Sequence, residues 1–336
     1  MMNLFSKQYL YIIPFFSVLI LSSCASLPTD PAPWDASPAA LRQIFPDSEY
    51  IAQRGTGATK AAAEAAAAAE LSRFFASQIS ANRGYQITAN NAAQTINTFD
   101  EAYVKSQINL FGIRYAHDAY YRRDLREWRT VAWIERDEAW AVYSPGFLQQ
   151  AQSFNALFDA ANQDQDQFRK ALRFMAADAY ARSDEFSGAS LFGQILHPRR
   201  MNIEFENVRE KIASIPQLLD AAKRNAVVYI DCPGDFENLV LSAFASRFSA
   251  LGFPVTNNAG AAGAVCRVTI SEGMQQRDLG IFYHPSLRAV ITGSAGVLFT
   301  FSAEGERASA VTSDVAKRRA YQSLADSVRE NFSLTP

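Results

Sequence analysis

The N-terminal half of the fold is decided by the stretch EYIAQRGTG, residues 49–57, and by the alanine-rich run ATKAAAEAAAAAELSRFFASQIS, residues 58–80. The first stretch predicts a short strand that ends in a glycine turn. In the second, Leu71, Phe74, Phe75 and Ile79 recur at the spacing of one helix face. Because alanine favours helix and has little bulk, this helix is expected to lie very close to a neighbouring sheet.

The amino terminus carries the most specific pattern in the chain. Lys7 precedes an apolar run, residues 9–21, which is too short for a bilayer span of about 20 residues but fits the core of a secretory signal. The next residues, Leu21-Ser22-Ser23-Cys24, resemble the bacterial lipobox. We therefore predict that residues 1–23 are a lipoprotein signal peptide and that Cys24 is the acylated first residue of the mature chain. The alternative is a plain secretory signal with a cysteine near its cleavage site by chance.

The segment after Cys24 predicts a tether over residues 24–48, because it is rich in Pro, Ala, Ser and Asp and has little apolar periodicity. Acyl chains on Cys24 would anchor the chain stably in a lipid bilayer. Ala25 stands where many envelope lipoproteins retained at the inner membrane have Asp, which favours the outer membrane with the body in the periplasm. Exposure on the cell surface stays open.

Composition excludes several classes of protein. The chain has 336 residues, 49% of them hydrophobic, without repeated long apolar spans, which excludes a disordered or polytopic membrane protein and makes two domains the expectation. The formal net charge of −2 lacks the basic excess of a nucleic-acid binder, so we expect no nucleic-acid partner.

Hydrophobic periodicity predicts an α+β fold of two domains with small antiparallel or mixed sheets, residues 49–145 and 225–336, joined by a helical insert, residues 146–224. In the first domain, residues 108–121 and 128–134 form an antiparallel strand pair, and residues 137–143 are either a third strand or the start of a helix. The insert is predicted as helices at residues 147–161, 168–181 and 205–222, with a loop at residues 183–200.

The second domain is predicted to begin with a strand at residues 227–230 and a helix capped by Asp235 and ended by Gly252. Short strands follow at residues 254–257 and 264–270. One long strand at residues 287–302 then pairs across a turn with residues 307–312, and a last helix covers residues 314–332.

Residues 24–143 resemble the LPP-type surface lipoprotein domain, which also occurs in flagellar T-ring proteins. The resemblance depends on the lipobox, the stretch Tyr50 to Gly57, the alanine-rich helix and Trp133-Ile134-Glu135-Arg136. It implies an α+β domain with a non-enzymatic role in the envelope, and a helix rather than a strand for residues 137–143. It brings no catalytic residues with it. The C-terminal unit is similar to small α/β modules of periplasmic assembly lipoproteins.

Catalytic and metal-binding patterns are missing from the sequence. Its three histidines, His117, His197 and His284, belong to no metalloprotease motif, and Gly55-Thr56-Gly57 matches neither the P-loop nor the dinucleotide-binding spacing. We therefore expect no enzyme, no metal and no cofactor. A disulfide between Cys232 and Cys266 is an open alternative to two buried thiols, which we favour because parallel strands would separate the sulfurs.

One stretch mixes aromatic and basic side chains in the manner of a binding surface. The candidate binding residues there are Arg114, Tyr120, Tyr121, Arg123 and Trp128. The alternative is a sheet with an aromatic inner face and a solvated outer face. A second basic cluster, Lys317-Arg318-Arg319, is either a solvated face or a patch for anionic lipid or a partner.

These patterns favour an outer-membrane lipoprotein that acts as a structural or assembly factor by binding another envelope protein. The alternative is a carrier of a small hydrophobic or glycan ligand, held between the helical insert and a sheet. An assembly factor should expose an aromatic or basic patch, whereas a carrier should enclose an apolar cavity of several hundred Å³.

Overall fold

A computed structural model describes residues 31–84, 116–277 and 280–334. In these residues helices combine with sheets of three, five and three strands, so the prediction of an α+β fold with small antiparallel and mixed sheets is confirmed. The predicted signal peptide, Cys24 and residues 85–115, including Arg114, lie outside the described residues. None of the described helices has the length and apolar character needed to cross a membrane.

The N-terminal sheet contains strands β1 (Tyr50–Gly57), β2 (Ala116–Arg122) and β3 (Glu127–Glu135), in the order β1-β3-β2. All pairs are antiparallel, and β1 pairs with β3 from Tyr50 opposite Glu135 to Gly57 opposite Trp128. Helix α2 (Lys60–Gly84) packs on this sheet through the predicted apolar stripe, since Leu71, Phe75 and Ile79 are buried.

Glycines in β1 allow an unusually close approach of α2. A Cβ atom built on Gly55 would lie 2.2 Å from the backbone nitrogen of Ala67 and 2.5 Å from the backbone oxygen of Ala63. One built on Gly57 would lie 2.6 Å from the backbone nitrogen of Ala63. The backbones of strand and helix therefore touch directly, as the run of alanines predicted.

The tether prediction was wrong for its second half. A 3-10 helix (Pro33–Asp35) and helix α1 (Pro38–Ile44) fold against the sheet, on the face that α2 leaves free. Trp34 is buried there beside Tyr120 and Val131. Ser37 caps α1 by accepting a hydrogen bond from the Ala40 N–H, and Pro38 occupies the first helical position. A serine followed by proline is a signal for the start of a helix. The prediction of a tether missed this signal because it considered only the high proline content of the segment.

Strand β3 runs directly into helix α3 (Arg136–Asn162), so residues 137–143 are helical, as the LPP-type resemblance implied. Helices α4 (Gln167–Arg182), α5 (Asp184–Leu196), α6 (Pro198–Glu204) and α7 (Glu206–Asn225) follow. The predicted loop at residues 183–200 was wrong, because most of that segment forms α5. Gly193 is needed inside this helix since an added Cβ would lie 3.0 Å from the Tyr143 ring.

The C-terminal sheet contains the strands β4 (Val228–Asp231), β5 (Val255–Thr256), β6 (Ala264–Ser271), β9 (Ser286–Gly293) and β10 (Gly296–Glu304). Their order in the sheet is β10-β9-β6-β4-β5. Strand β4 is parallel to β5 and β6, and the other pairs are antiparallel. Helices α8 (Leu239–Ala250) and α9 (Ser313–Asn331) pack together against this sheet, and both contribute to its core.

Three boundaries in this region differ from the prediction. Helix α8 begins at Leu239, although Asp235 still accepts hydrogen bonds from the Val240 and Leu241 N–H groups. The predicted long strand is a hairpin that turns between Gly293 and Gly296. Its predicted partner forms β11 (Ala308–Ala310), which pairs with β8 (Gly280–Tyr283) in a separate sheet that also contains β7 (Gln275–Arg277).

Helix α4 contributes to both hydrophobic cores. Its Phe174 and Ala177 belong to the core around α2 and α3, whereas its Phe168 and Ala171 belong to the core of the C-terminal sheet. At its start, Asp166 accepts hydrogen bonds from the N–H and hydroxyl of Ser294 in the β9–β10 turn. The helical insert therefore packs against both sheets and connects their hydrophobic cores.

Both described cysteines are free thiols, Cys266 buried and Cys232 half-buried. Burial raises the pKa of each thiol to about 12, so both resist forming the reactive thiolate. This agrees with the interpretation that we favoured over a disulfide.

Candidate binding groove at the edge of strand β1

The predicted binding residues do not form one surface. Tyr120 is buried, and its hydroxyl donates a hydrogen bond to Asp35. Tyr121 is the next residue of the strand and therefore points to the opposite face, where its ring lies 5.7 Å from that of Trp128. Arg123 is exposed in the turn after β2. Arg114 lies outside the described residues.

Several of the aromatic and basic residues of this stretch instead hold the N-terminal segment. The Asp35 carboxylate, whose side chain is 4% exposed, accepts hydrogen bonds from Tyr120 and from Arg129 at 3.0 Å. The Trp34 indole N–H donates to Asp118 at 3.0 Å. Burial, and next the bond to Asp35, raise the pKa of Tyr120 to about 12. The Tyr120 hydroxyl therefore keeps the proton that it donates in this bond at physiological pH.

Arg54 extends this attachment to helix α1. Its guanidinium donates to the backbone oxygens of Trp34 and, at 2.5 Å, of Ser37. These two carbonyls directly precede α1, so Arg54 fixes the helix above strand β1. Farther along, the Phe45 ring packs 4.9 Å from Trp133.

A groove of about 420 Å³ lies between α1, β1 and α2, and we name it the β1 groove. Its walls are mostly apolar, with polar side chains at the ends. The apolar lining residues are Pro38, Leu41, Phe45, Tyr50, Ile51, Ala52 and Phe74, and the polar ones are Arg42, Asp47, Gln53 and Arg136. Sequence reasoning missed this site because half of its lining lies in the segment predicted as a tether.

Strand β1 is an edge strand among the described residues, so one side of its backbone faces away from β3. The Arg136 N–H donates to the Glu49 oxygen at 2.8 Å, so these two residues form a hydrogen-bonded pair of the antiparallel ladder. Along β1, residues whose N–H and C=O groups face β3 therefore alternate with residues whose groups face away from it. Counting in steps of two, the backbone groups of Ile51 and Gln53 point toward β3. Those of Ala52 and Arg54 point toward the open edge. The groove thus runs beside a row of strand N–H and C=O groups.

The inner end of the groove is held by a buried arginine. The Arg136 guanidinium donates to the backbone oxygens of Asp47 at 2.9 Å, Ile195 at 2.7 Å and Leu196 at 2.5 Å. The last two carbonyls end helix α5, where a cation complements the helix dipole. Burial lowers the pKa of this guanidinium, which still keeps its charge at neutral pH. Arg136 therefore ties the loop before β1 to α5.

The second predicted basic cluster is largely neutralised. Lys317 pairs with Glu272 at 2.5 Å, and Arg318 pairs with Glu237. Arg319 is exposed, and no contact is recorded for it within the described part of the chain. In the same residues, no group of three or more His, Cys, Asp or Glu side chains is placed to hold a metal ion.

Among the solved structures to which this chain shows a weak likeness are three bacterial proteins. A lipoprotein of Neisseria meningitidis is 16% identical with a TM-score of 0.21, over 26% of this chain and 86% of that one. A minor lipoprotein of Acinetobacter baumannii is 14% identical with a TM-score of 0.24, over 32% and 89%. A secreted protein of Helicobacter pylori is 11% identical with a TM-score of 0.29, over 83% and 96%.

No protein-family model matches the sequence, and no curated protein does either. The resemblance to the LPP-type domain therefore stays a prediction. Function has to be inferred from this chain's own residues.

Proposed function

We propose that this chain is a non-enzymatic lipoprotein of the cell envelope that binds an extended segment of another envelope protein in the β1 groove. Cys24 anchors it in the outer membrane, with its body in the periplasm. The observation that carries the binding role is a groove beside an edge of β1 that no described strand pairs with. The lipobox sequence supports the anchor.

An extended peptide suits the β1 groove better than other ligands. A strand laid along β1 would satisfy the outward N–H and C=O groups of Ala52 and Arg54 by main-chain hydrogen bonds. Its alternate side chains would enter the apolar space beside Leu41 and Phe45. Arg42 and Asp47 at the margin offer charges of both signs that would select the register of the bound segment.

A small hydrophobic ligand is the second candidate, because the groove volume falls in the range of about 300–1,000 Å³ that is usual for ligand sites. Mass spectrometry of organic extracts from the purified protein tests it. A stoichiometric lipid that is absent from a Leu41→Ser variant would favour this carrier role over peptide binding.

The anchor is tested by Cys24→Ala. Without the thiol no acyl chain can be attached, so we expect unprocessed precursor to accumulate and the mature membrane-bound form to disappear. Cell fractionation with mass spectrometry of the N-terminal peptide measures both. Normal processing and membrane retention of the variant would contradict acylation at Cys24.

The groove is tested with a photo-crosslinking amino acid at Gln53, in the acylated protein in its own envelope. We expect a covalent adduct with one protein, joined within a segment of alternating apolar residues. Leu41→Ser should weaken capture of that segment by about tenfold or more, since it removes a large apolar contact from the groove. Ala52→Pro should do the same because it removes an N–H that points toward the edge.

Ile44→Ser is the matched control. Ile44 lies on the same helix, is 43% exposed and does not line the groove. Thermal unfolding of each variant establishes that the fold is retained. Equal crosslinking by Leu41→Ser and Ile44→Ser would show that the partner binds elsewhere.

A further inference from the structure

The turn between β2 and β3 presents an exposed leucine between two arginines. Leu125 is 50% exposed, and Arg123 and Arg126 are exposed on either side. Asp124 is engaged by the Arg122 guanidinium at 2.9 Å, whereas no contact is recorded for Arg123 or Arg126 within the described residues. We name Arg123, Leu125 and Arg126 the hairpin tip. It combines positive charge with an apolar side chain.

The N-terminal segment joins the sheet on the half nearer this tip. Asp35 contacts Arg129 and, at 3.9 Å, Arg122, which directly precedes the tip. Helix α1 then runs away from the tip, because Phe45 packs on Trp133 near the opposite end of β3. Trp34 packs beside Tyr120 and Val131, so the first described residues meet the sheet at its middle and on the half nearer the hairpin tip.

The connection between anchor and body is short. Trp34 is buried only ten residues after Cys24. Ten extended residues span at most about 35 Å, which is close to the roughly 30 Å length of the nine-residue strand β3. An acylated Cys24 thus keeps the folded body within about 35 Å of the bilayer, a distance at which the hairpin tip can reach the lipid surface.

We propose that the hairpin tip contacts the membrane that holds Cys24, with Arg123 and Arg126 at anionic lipid phosphates and Leu125 in the interface. This inference depends on the acyl anchor of the proposed function. Arginine forms paired hydrogen bonds with phosphate, and a nearby apolar residue adds burial in the interface. The β1 groove lies toward the other end of the sheet, so this contact turns its inner end, at Arg136, toward the periplasm.

The test uses the acylated full chain in vesicles of phosphatidylethanolamine and phosphatidylglycerol that carry brominated, quenching lipids. An environment-sensitive fluorescent amino acid replaces Leu125 in one sample. In the control sample it replaces Val311, which is 92% exposed in the C-terminal domain. We expect strong quenching and a blue shift at position 125 and neither at position 311. Vesicles of phosphatidylcholine should weaken the effect.

Charge reversal separates lipid contact from simple proximity. Arg123→Glu is expected to reduce the tip-bound population by more than about fivefold, as is Arg126→Glu, since about fivefold is the factor for losing one cation at an anionic surface and glutamate adds repulsion. Arg319→Glu is the matched control, because Arg319 is exposed with no contact recorded in the described residues. It should leave quenching at position 125 unchanged.

Flotation of the vesicles distinguishes the two proposals. Protein that floats while position 125 is quenched no more than position 311 would overturn the tip contact and leave the anchor intact. Protein that fails to float would overturn the anchor and, with it, the tip contact.

Discussion

Replacing Gly55 by alanine is expected to destabilise the protein by about 3 kcal/mol or more, the upper end of the range for overpacking a core. The added Cβ would lie 2.2 Å from the Ala67 nitrogen, 2.5 Å from the Ala63 oxygen and 2.7 Å from the Ala67 Cα. All three are backbone atoms, so no side chain can rotate to relieve the clash. Helix α2 would have to move away from β1, and its contacts through Phe75 and Ile79 would open.

Gly263→Ala is the matched control, since its added Cβ would meet nothing nearer than the Val227 oxygen at 3.9 Å. The free energy of unfolding is measured for both variants by urea denaturation followed by circular dichroism. We expect a much lower midpoint, or no folded N-terminal part, for Gly55→Ala alone. Equal midpoints would contradict the direct contact between β1 and α2.

Replacing Arg136 by methionine should destabilise the protein by about 3 kcal/mol or more, because each buried acceptor left without a partner costs about 1–3 kcal/mol. The side chain is 9% exposed and supplies the donors for three backbone oxygens, those of Asp47, Ile195 and Leu196. Methionine retains most of the apolar volume but no donor, so these carbonyls lose their partners. Lysine should not restore stability, because one ammonium group cannot reproduce the planar arrangement of guanidinium donors.

Arg182→Met provides the comparison for this substitution. Its side chain is 74% exposed and pairs with Asp178 one helical turn away, so its loss should change stability by no more than about 0.5 kcal/mol. Urea unfolding measures both variants. In addition, Arg136→Met should reduce crosslinking from Gln53, because Arg136 and Asp47 line the β1 groove. A stability loss as small as that of Arg182→Met would show that the three carbonyls find other partners.

The two predictions concern opposite ends of the same small sheet. Gly55 controls how closely α2 covers one face of β1, and Arg136 holds the loop that leads into β1. Helix α1, fixed by Arg54, covers the other face. The edge of β1 between these elements, which no described strand pairs with, is the part at which we propose that a partner binds. The proposed binding site therefore depends on Gly55 and Arg54, which lie outside the groove, and on Arg136, which lines it.

Local sequence patterns were sufficient to predict those features that depend on a single segment of the chain. The lipobox is a contiguous motif, so Cys24 is predicted without any tertiary information. The apolar stripe of α2 was predicted by its spacing, because a helix of this kind must bury one face. The small volume of alanine likewise predicted the close contact between helix and sheet that Gly55 and Gly57 now show.

Other features were decided by partners distant in sequence. Residues 33–44 resemble a linker in their proline content, yet Trp34 and Asp35 contact Asp118, Tyr120 and Arg129, which lie 84 to 94 positions later. At Gly193 there is little room for a side chain, because an added Cβ would lie 3.0 Å from the Tyr143 ring, fifty positions earlier in the chain. The cluster of aromatic and basic residues near Tyr120 divides between two sheet faces, since neighbouring strand residues point in opposite directions.

The sequence by itself thus determined the predicted anchor, the α+β class and the face by which α2 packs, because each follows from a local motif or a period. Only the tertiary structure decided the β1 groove, the attachment of residues 33–44 to the sheet and the contribution of helix α4 to both hydrophobic cores. These three features arise from contacts between segments far apart in the chain, and such contacts leave no periodic pattern in either segment alone.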